Sequence, residues 1–191
     1  LTAGHCGGLL ANGTTNRRNV ALRRRPQTGT VLGRVERNLE RTTELDALVA
    51  PVPTGPLVPA SDLIDRGTSR PPWFVTGAVA PYPGSRVCFS GRTSGPDQCG
   101  QIVAGPAATR LERLVGSVEH KVVRCATMPA RAGDSGAPVY TAPAPDGTVQ
   151  AVGIATLALT GPLFRLLHLR MCFTPLAPVL AALGAELVPA G

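Results

Sequence analysis

Two short runs far apart in the chain, Gly133-Asp134-Ser135-Gly136-Ala137 and Thr2-Ala3-Gly4-His5-Cys6, combine residue types that could do chemistry together. A serine hydroxyl is a poor nucleophile at neutral pH. It needs an imidazole to take its proton and donors to hold the oxyanion that forms when it attacks a carbonyl. Ser135 and His5 are the candidate nucleophile and base. Gly133 permits a turn tight enough for its own N–H and that of Ser135 to point at one spot, the expected oxyanion hole, and Gly136 leaves the far side of the serine open. Such a pair also needs a carboxylate against the second imidazole nitrogen, to fix the tautomer and stabilise the imidazolium. Asp46 is the candidate, because it lies in Leu45-Asp46-Ala47-Leu48-Val49-Ala50, an apolar strand-like run where an acid is out of place without a buried partner. Asp62 and Asp65, among Pro, Ser and Gly, read as solvated loop acids, and Glu40 and Glu44 read as surface charge.

Three segments carry a family resemblance. They are Thr2 to Cys6 around the histidine; Val87-Cys88, Ser90 to Gly95 and Cys99-Gly100-Gln101-Ile102; and Gly133 to Pro138, with Ala137 where a second glycine is more usual. In content and order they resemble the chymotrypsin-fold serine peptidases, in particular the secreted bacterial branch of streptogrisins and alpha-lytic peptidase, whose disulfide hairpin the middle segment is similar to. The order His, Asp, Ser is the chymotrypsin order, whereas subtilisin-like and α/β-hydrolase enzymes run through their triads differently. The resemblance implies a serine endopeptidase that cuts protein or peptide substrates through an acyl-enzyme on Ser135, without cofactor or metal. A pro-peptide or an inhibitor would be its further partners. The alternative is a weak or inactive module of the same fold that binds or scaffolds.

The same resemblance assigns the substrate backbone to the strand Gly153 to Ala158, where a peptide would add as an edge strand. Thr156, Leu157 and Ala158 would bind it, and the Thr156 hydroxyl would donate to Asp46, a role the family gives to a serine. Leu157 and Ala158 stand where glycines commonly line the mouth of the primary pocket, and no acid lies between Met128 and Ala132, so small or medium apolar residues are the expected preference. Asp134, an acid flanking the nucleophile, must be paired if buried. The bacterial branch uses an arginine next to the hairpin cysteine; here Phe89 follows Cys88, leaving Arg92 or Arg86, and a malformed oxyanion hole if neither reaches.

The elements that must hold these groups are strands. With 191 residues, 22 Gly and 19 Pro, the chain has no internal repeat of solenoid period and almost no long helical pattern. Trp73 to Val79, Arg86 to Phe89, Gln101 to Ala104, Val118 to Val123 and Val149 to Leu159 are short apolar segments between turn residues, as in β-barrels. Only the end looks helical, with Thr174 as cap, Pro175 at the first position and Leu176, Val179, Leu180 and Leu183 at helical spacing before Gly184. The expected fold class is all-β: two antiparallel barrels of chymotrypsin type, the first incomplete, with a short C-terminal helix. Residues 1–66 would carry His5 and Asp46, and residues 67–191 Ser135.

Five cysteines make an odd count. Cys88 and Cys99 flank a Gly-rich turn and are expected to pair, which for so short a loop stabilises by roughly 2–4 kcal/mol. Disulfide use points to a secreted protein. Cys125 and Cys172 are placed by the resemblance on neighbouring strands, either bridged or as two buried thiols. The family's cysteine beside the histidine bonds to one upstream, and nothing precedes Cys6 here except a start in mid-strand. The expectation is therefore a first barrel whose early strands, with any signal and pro-peptide, lie outside the sequence; the alternative is a free buried Cys6.

A formal charge of +7 with arginines clustered at Arg17-Arg18 and Arg23-Arg24-Arg25 invites a nucleic-acid reading. Aromatics are only 4% and do not interleave with the basic residues, so a solvated loop, with weak attraction to anionic surfaces, is the better reading. Gln150, Thr156, Thr160 and Pro162 argue against a membrane span in the apolar stretch Gly147 to Phe164, and His120 and His168 lack metal-ligand spacing.

Overall fold

The computed structural model describes residues 1–3, 5, 21–23, 31–40, 43–50, 62–67, 69–119, 121–162, 164 and 169–187. Cys6, His120, His168, Arg17, Arg18, Arg24 and Arg25 lie outside them. Twelve strands appear: β1 (Ala21–Arg23), β2 (Val31–Arg34), β3 (Arg37–Asn38), β4 (Leu48–Val49), β5 (Leu63–Ile64), β6 (Trp73–Ala78), β7 (Arg86–Gly91), β8 (Gly95–Gln101), β9 (Arg124–Ala126), β10 (Pro138–Thr141), β11 (Thr148–Ala158) and β12 (Met171–Pro175). Among the described residues, two longer helices, α1 (Pro106–Glu119) and α2 (Leu176–Leu183), accompany them.

Eight strands form one curled sheet in the order β5-β6-β11-β10-β7-β8, with β12 bridging β11 to β9, while β1-β2 and β3-β4 make two small antiparallel pairs. β11 is its spine. It meets β6 in parallel at its start and β10 and β12 antiparallel further on, so its Val152, Ile154 and Ala155 are buried. Where the strand is covered on both faces, from Val152 to Thr156, burial does not alternate, while Gln150 near its start stays exposed. Phe89, Met128, Val139, Met171 and Phe173 fill the core against it.

Cys88 is bridged to Cys99 across β7–β8 and Cys125 to Cys172 across β9–β12, each pair with Cα atoms 4.0 Å apart. A second core joins the N-terminal part to the C-terminal one: Ala3, Leu39, Leu45 and Ala47 pack against Ile154 of β11 and Val179 of α2. Arg37 ties the same junction, donating to the carbonyls of Ala182 and Leu183 at the end of α2, both at 2.8 Å.

Three expectations about elements need correction. The segment from Val118, read as a strand, closes α1, a 14-residue helix. Pro106 opens it, and Leu111 and Val115 face the core formed by Val123, Cys125 and Leu169. Gln101 to Ala104 holds only the last residue of β8 and an isolated bridge at Ile102. Thr174 does not cap α2: Pro175 is the cap residue without a side-chain bond, while Gly184 closes the helix with φ 61°. No helix among the described residues is long and apolar enough to cross a membrane.

Candidate active site

His5 and Asp46 are brought together by the β3–β4 region. Thr2 pairs with Leu48, exchanging backbone bonds of 3.1 and 2.8 Å, and this lays the residues before His5 along the strand that follows Asp46. Asp46 is fully buried. Its Oδ1 accepts the backbone N–H of His5 at 2.9 Å, and its Oδ2 lies 2.7 Å from His5 Nδ1. One carboxylate thus holds both the backbone and the ring of the histidine, leaving the ring two-thirds covered with 30% of the side chain exposed. Burial, the largest effect on Asp46, disfavours its charge. The His5 ring bond, the His5 charge, the His5 backbone bond and Lys121 outweigh it and hold the carboxyl below its ordinary range.

Ser135 sits in the loop before β10. Asp134 N–H donates to Arg131 O at 3.1 Å and Gly133 has φ 96°, which together define a type II turn over 131–134. Turning its central peptide over into a type I turn would put the Ala132 carbonyl where the Gly133 N–H now points, so the glycine's positive φ sets which group is presented. Gly136, φ 86°, lies directly against Thr2: a Cβ there would collide with the Thr2 hydroxyl and come within 3.4 Å of Ala3 N. The serine loop is therefore packed onto the residues that lead into His5. Ser135 Oγ has a long 3.5 Å contact with the Thr156 carbonyl.

Asp134 is buried, 2% exposed, yet among the described residues no cation pairs with it, so neither Arg86 nor Arg92 plays that part. Four neutral donors replace the arginine. The N–H groups of Thr93 and Ser94 reach Oδ1 at 2.7 and 3.0 Å, and Ser94 Oγ and Arg131 N–H reach Oδ2 at 2.5 and 2.8 Å. Burial pushes its pKa up, but the Ser94 hydroxyl, the Arg131 N–H and the Ser94 and Thr93 N–H groups bring it below the ordinary value. Gly91 makes room: a Cβ there would fall 2.5 Å from the carboxylate. The turn 92–95 between the disulfide-linked strands is thus the cradle of Asp134, and the loop is anchored without the missing cation.

A pocket of about 190 Å³ opens beside Ser135, lined by Ala130, Ala132, Ala155, Leu157, Ala158 and Met171 together with Arg131, Asp134 and Thr156. The three residues expected to meet substrate, Thr156, Leu157 and Ala158, all line it. The expected bond from Thr156 to Asp46 is absent. Thr156 Oγ1 instead lies 3.1 Å from Ile154 O and 2.9 Å from Thr174 Oγ1.

The residue the sequence did not reveal is Lys121. Its Nζ lies 3.1 Å from Asp46 Oδ2 and 3.4 Å from Glu40 Oε1, so Glu40, read as surface charge, is a partly buried member of the cluster. His5, Glu40 and Asp46 offer possible metal-binding atoms within 4.8 Å of one another, but the Lys121 ammonium fills the cationic place between the two carboxylates. Asp65 accepts the N–H of Gly67 at 2.8 Å in an exposed turn.

No known family model matches the sequence, and no curated protein matches it. Solved structures do. The chain is similar to Cellulomonas bogoriensis chymotrypsin (23% identity, 99% of this chain and 85% of that one, TM-score 0.64). It is likewise similar to Thermobifida fusca Protease A (24%, 99% and 83%, 0.66) and to the Nocardiopsis protease NAPase (21%, 95% and 80%, 0.60). The chain therefore has the chymotrypsin-type fold of these bacterial proteases.

Proposed function

We propose that the protein is a secreted serine endopeptidase. Ser135 attacks the scissile carbonyl, His5 takes its proton and passes it to the leaving amine, Asp46 holds His5 in the required tautomer, and the N–H groups of Gly133 and Ser135 stabilise the oxyanion. Water, activated by the same imidazole, then hydrolyses the acyl-enzyme. The observation that carries this reading is the buried Asp46 carboxylate 2.7 Å from His5 Nδ1, with the serine loop packed on the segment leading to that histidine. In this reading residues 1–66 contribute His5 and Asp46, residues 67–191 contribute Ser135, and the peptide lies against Thr156, Leu157 and Ala158.

A small pocket walled mainly by alanines, with Leu157 and Met171 at its sides, suits a small or medium apolar substrate side chain. Among the described residues the one acid lining it, Asp134, has both oxygens occupied by internal donors and so is poorly placed to pair with a substrate lysine or arginine. The two disulfides favour an oxidising, extracellular setting.

The test is covalent labelling with a fluorophosphonate, with hydrolysis of a set of peptides differing at the residue before the cut. Labelling should occur on Ser135, vanish in Ser135→Ala, and be accompanied there by a fall in turnover of roughly four to six orders of magnitude. Ser135→Ala keeping hydrolysis within tenfold of the parent would sink the acyl-enzyme and leave a binding or scaffold module.

A further inference from the structure

In this cluster a lysine ammonium stands on the carboxylate that holds the histidine. Asp46 Oδ2 is shared by His5 Nδ1 at 2.7 Å and Lys121 Nζ at 3.1 Å, in a site where Asp46 is fully buried and the Lys121 side chain is 10% exposed. The hydroxyl expected there, that of Thr156, is bonded to Ile154 and Thr174 instead. The lysine is delivered by a built device. Where α1 ends, Lys121 N–H folds back to Gly116 O at 2.8 Å, a reversal that needs glycine because a Cβ at 116 would lie 2.6 Å from Lys121 O. The next residue ties this strap to the segment that carries Asp46, with Val122 N–H donating to Glu44 O at 2.8 Å.

We propose that Lys121 is a positioning residue that sets the basicity of His5: its charge weakens the hold of Asp46 on the protonated imidazole, and Glu40 partly offsets that charge. The inference rests on the peptidase reading for its catalytic meaning, though not for its electrostatics. A cation within a few ångströms of Asp46 opposes a second positive charge on the ring that shares the same oxygen, and the low-dielectric site screens this poorly. Glu40, 3.4 Å from Lys121 and with its other oxygen Oε2 buried, acts in the opposite sense. Among the described residues, the ion pairs of this cluster join His5, Glu40, Asp46 and Lys121: Glu40 and Asp46 come from the β3–β4 connection and Lys121 from the strap after α1. The consequence is a base that stays neutral, and so competent, to lower pH than the His–Asp pair alone would allow.

The experiment is an NMR titration of ring-labelled histidine in the parent protein and in Lys121→Met, Lys121→Arg and Glu40→Gln, with the His5 signal identified by its loss in His5→Gln. Fluorophosphonate labelling rates are followed against pH in parallel. Lys121→Met should raise the His5 pKa by about one unit, Glu40→Gln should lower it by about half a unit, and Lys121→Arg should leave it within about 0.3. The acid limb of labelling should move with it. A lysine that serves only as a structural rivet would change stability and leave the titration where it was. A His5 pKa unmoved or lowered in folded Lys121→Met overturns the proposal. Should that variant fail to fold, an unmoved or raised value in Glu40→Gln does so. The expected shifts without labelling of any variant would uphold the coupling and remove the peptidase reading; labelling without the shifts would do the reverse.

Discussion

Asp46 and Asp134 are both buried carboxylates, one beside the histidine and the other next in sequence to the serine, and opposite means keep them charged. Asp46 is met by a lysine and an imidazole, groups whose own charge can change or be changed. Asp134 is met by three backbone N–H groups and one hydroxyl, none of which titrates near neutrality. A carboxylate held by ionisable partners is coupled to them and can tune their chemistry. One held by fixed dipoles is insulated and serves as an anchor. On the proposed function, the N-terminal acid would serve proton transfer and the C-terminal one the shape of the serine loop.

The largest effect that would sharpen the contrast is on turnover. Asp46→Asn keeps the size of the side chain but presents an amide to the ring, and kcat/KM for a peptide substrate should fall by on the order of 10⁴, the cost of the wrong tautomer in Ser-His-Asp machinery. Thermal unfolding of that variant should show the fold intact. Asp134→Ala should do the converse, unfolding first. It strands four donors at a buried position, and chemical denaturation should show a loss of about 3–5 kcal/mol. An Asp134→Ala protein as stable as its parent would mean that the cradle does not bear on the fold.

Acid offers a third test. Both acids have folded-state pKa values below the ordinary carboxylate value. Their contribution to stability is therefore fully present above about pH 4 and is lost as pH falls through the lower, folded values. Denaturation midpoints measured from pH 6 to pH 2 should drop steeply below about pH 4. Asp134→Asn, already destabilised, should lose less over that window. A parent protein equally stable at pH 2 and pH 6 would contradict the ionised, paired state of both groups. The smallest effect is expected from Thr156→Val, whose hydroxyl is bonded away from Asp46: kcat/KM should change by less than about threefold, with about 1 kcal/mol of stability lost with the hydroxyl's bonds. A hundredfold fall in activity would place that hydroxyl on Asp46 after all.

What could be read from residues alone was whatever a short stretch of chain specifies by itself. The Gly-Asp-Ser-Gly turn, the histidine segment and the Gly-rich loop between Cys88 and Cys99 are local, because tight turns and a bridged hairpin depend on near neighbours. The odd acid at 46 stood out for the same reason: an apolar run advertises its own burial. α1 was missed although Leu111, Leu114 and Val115 stand at helical spacing, since Val118 to Val123 offered a competing strand pattern across the helix end.

The sequence by itself therefore determined that a serine, a histidine and an acid are carried on a β-rich scaffold with a helix at its end. Only the tertiary structure decided which charges surround them. Lys121 lies 75 residues from Asp46 and Ser94 lies 40 from Asp134, and nothing in the types of these residues foretells those meetings. The reason is physical: a turn is fixed by the conformational preferences of a few adjacent residues, but a buried charge takes whichever donor the packing of distant segments leaves within 3 Å.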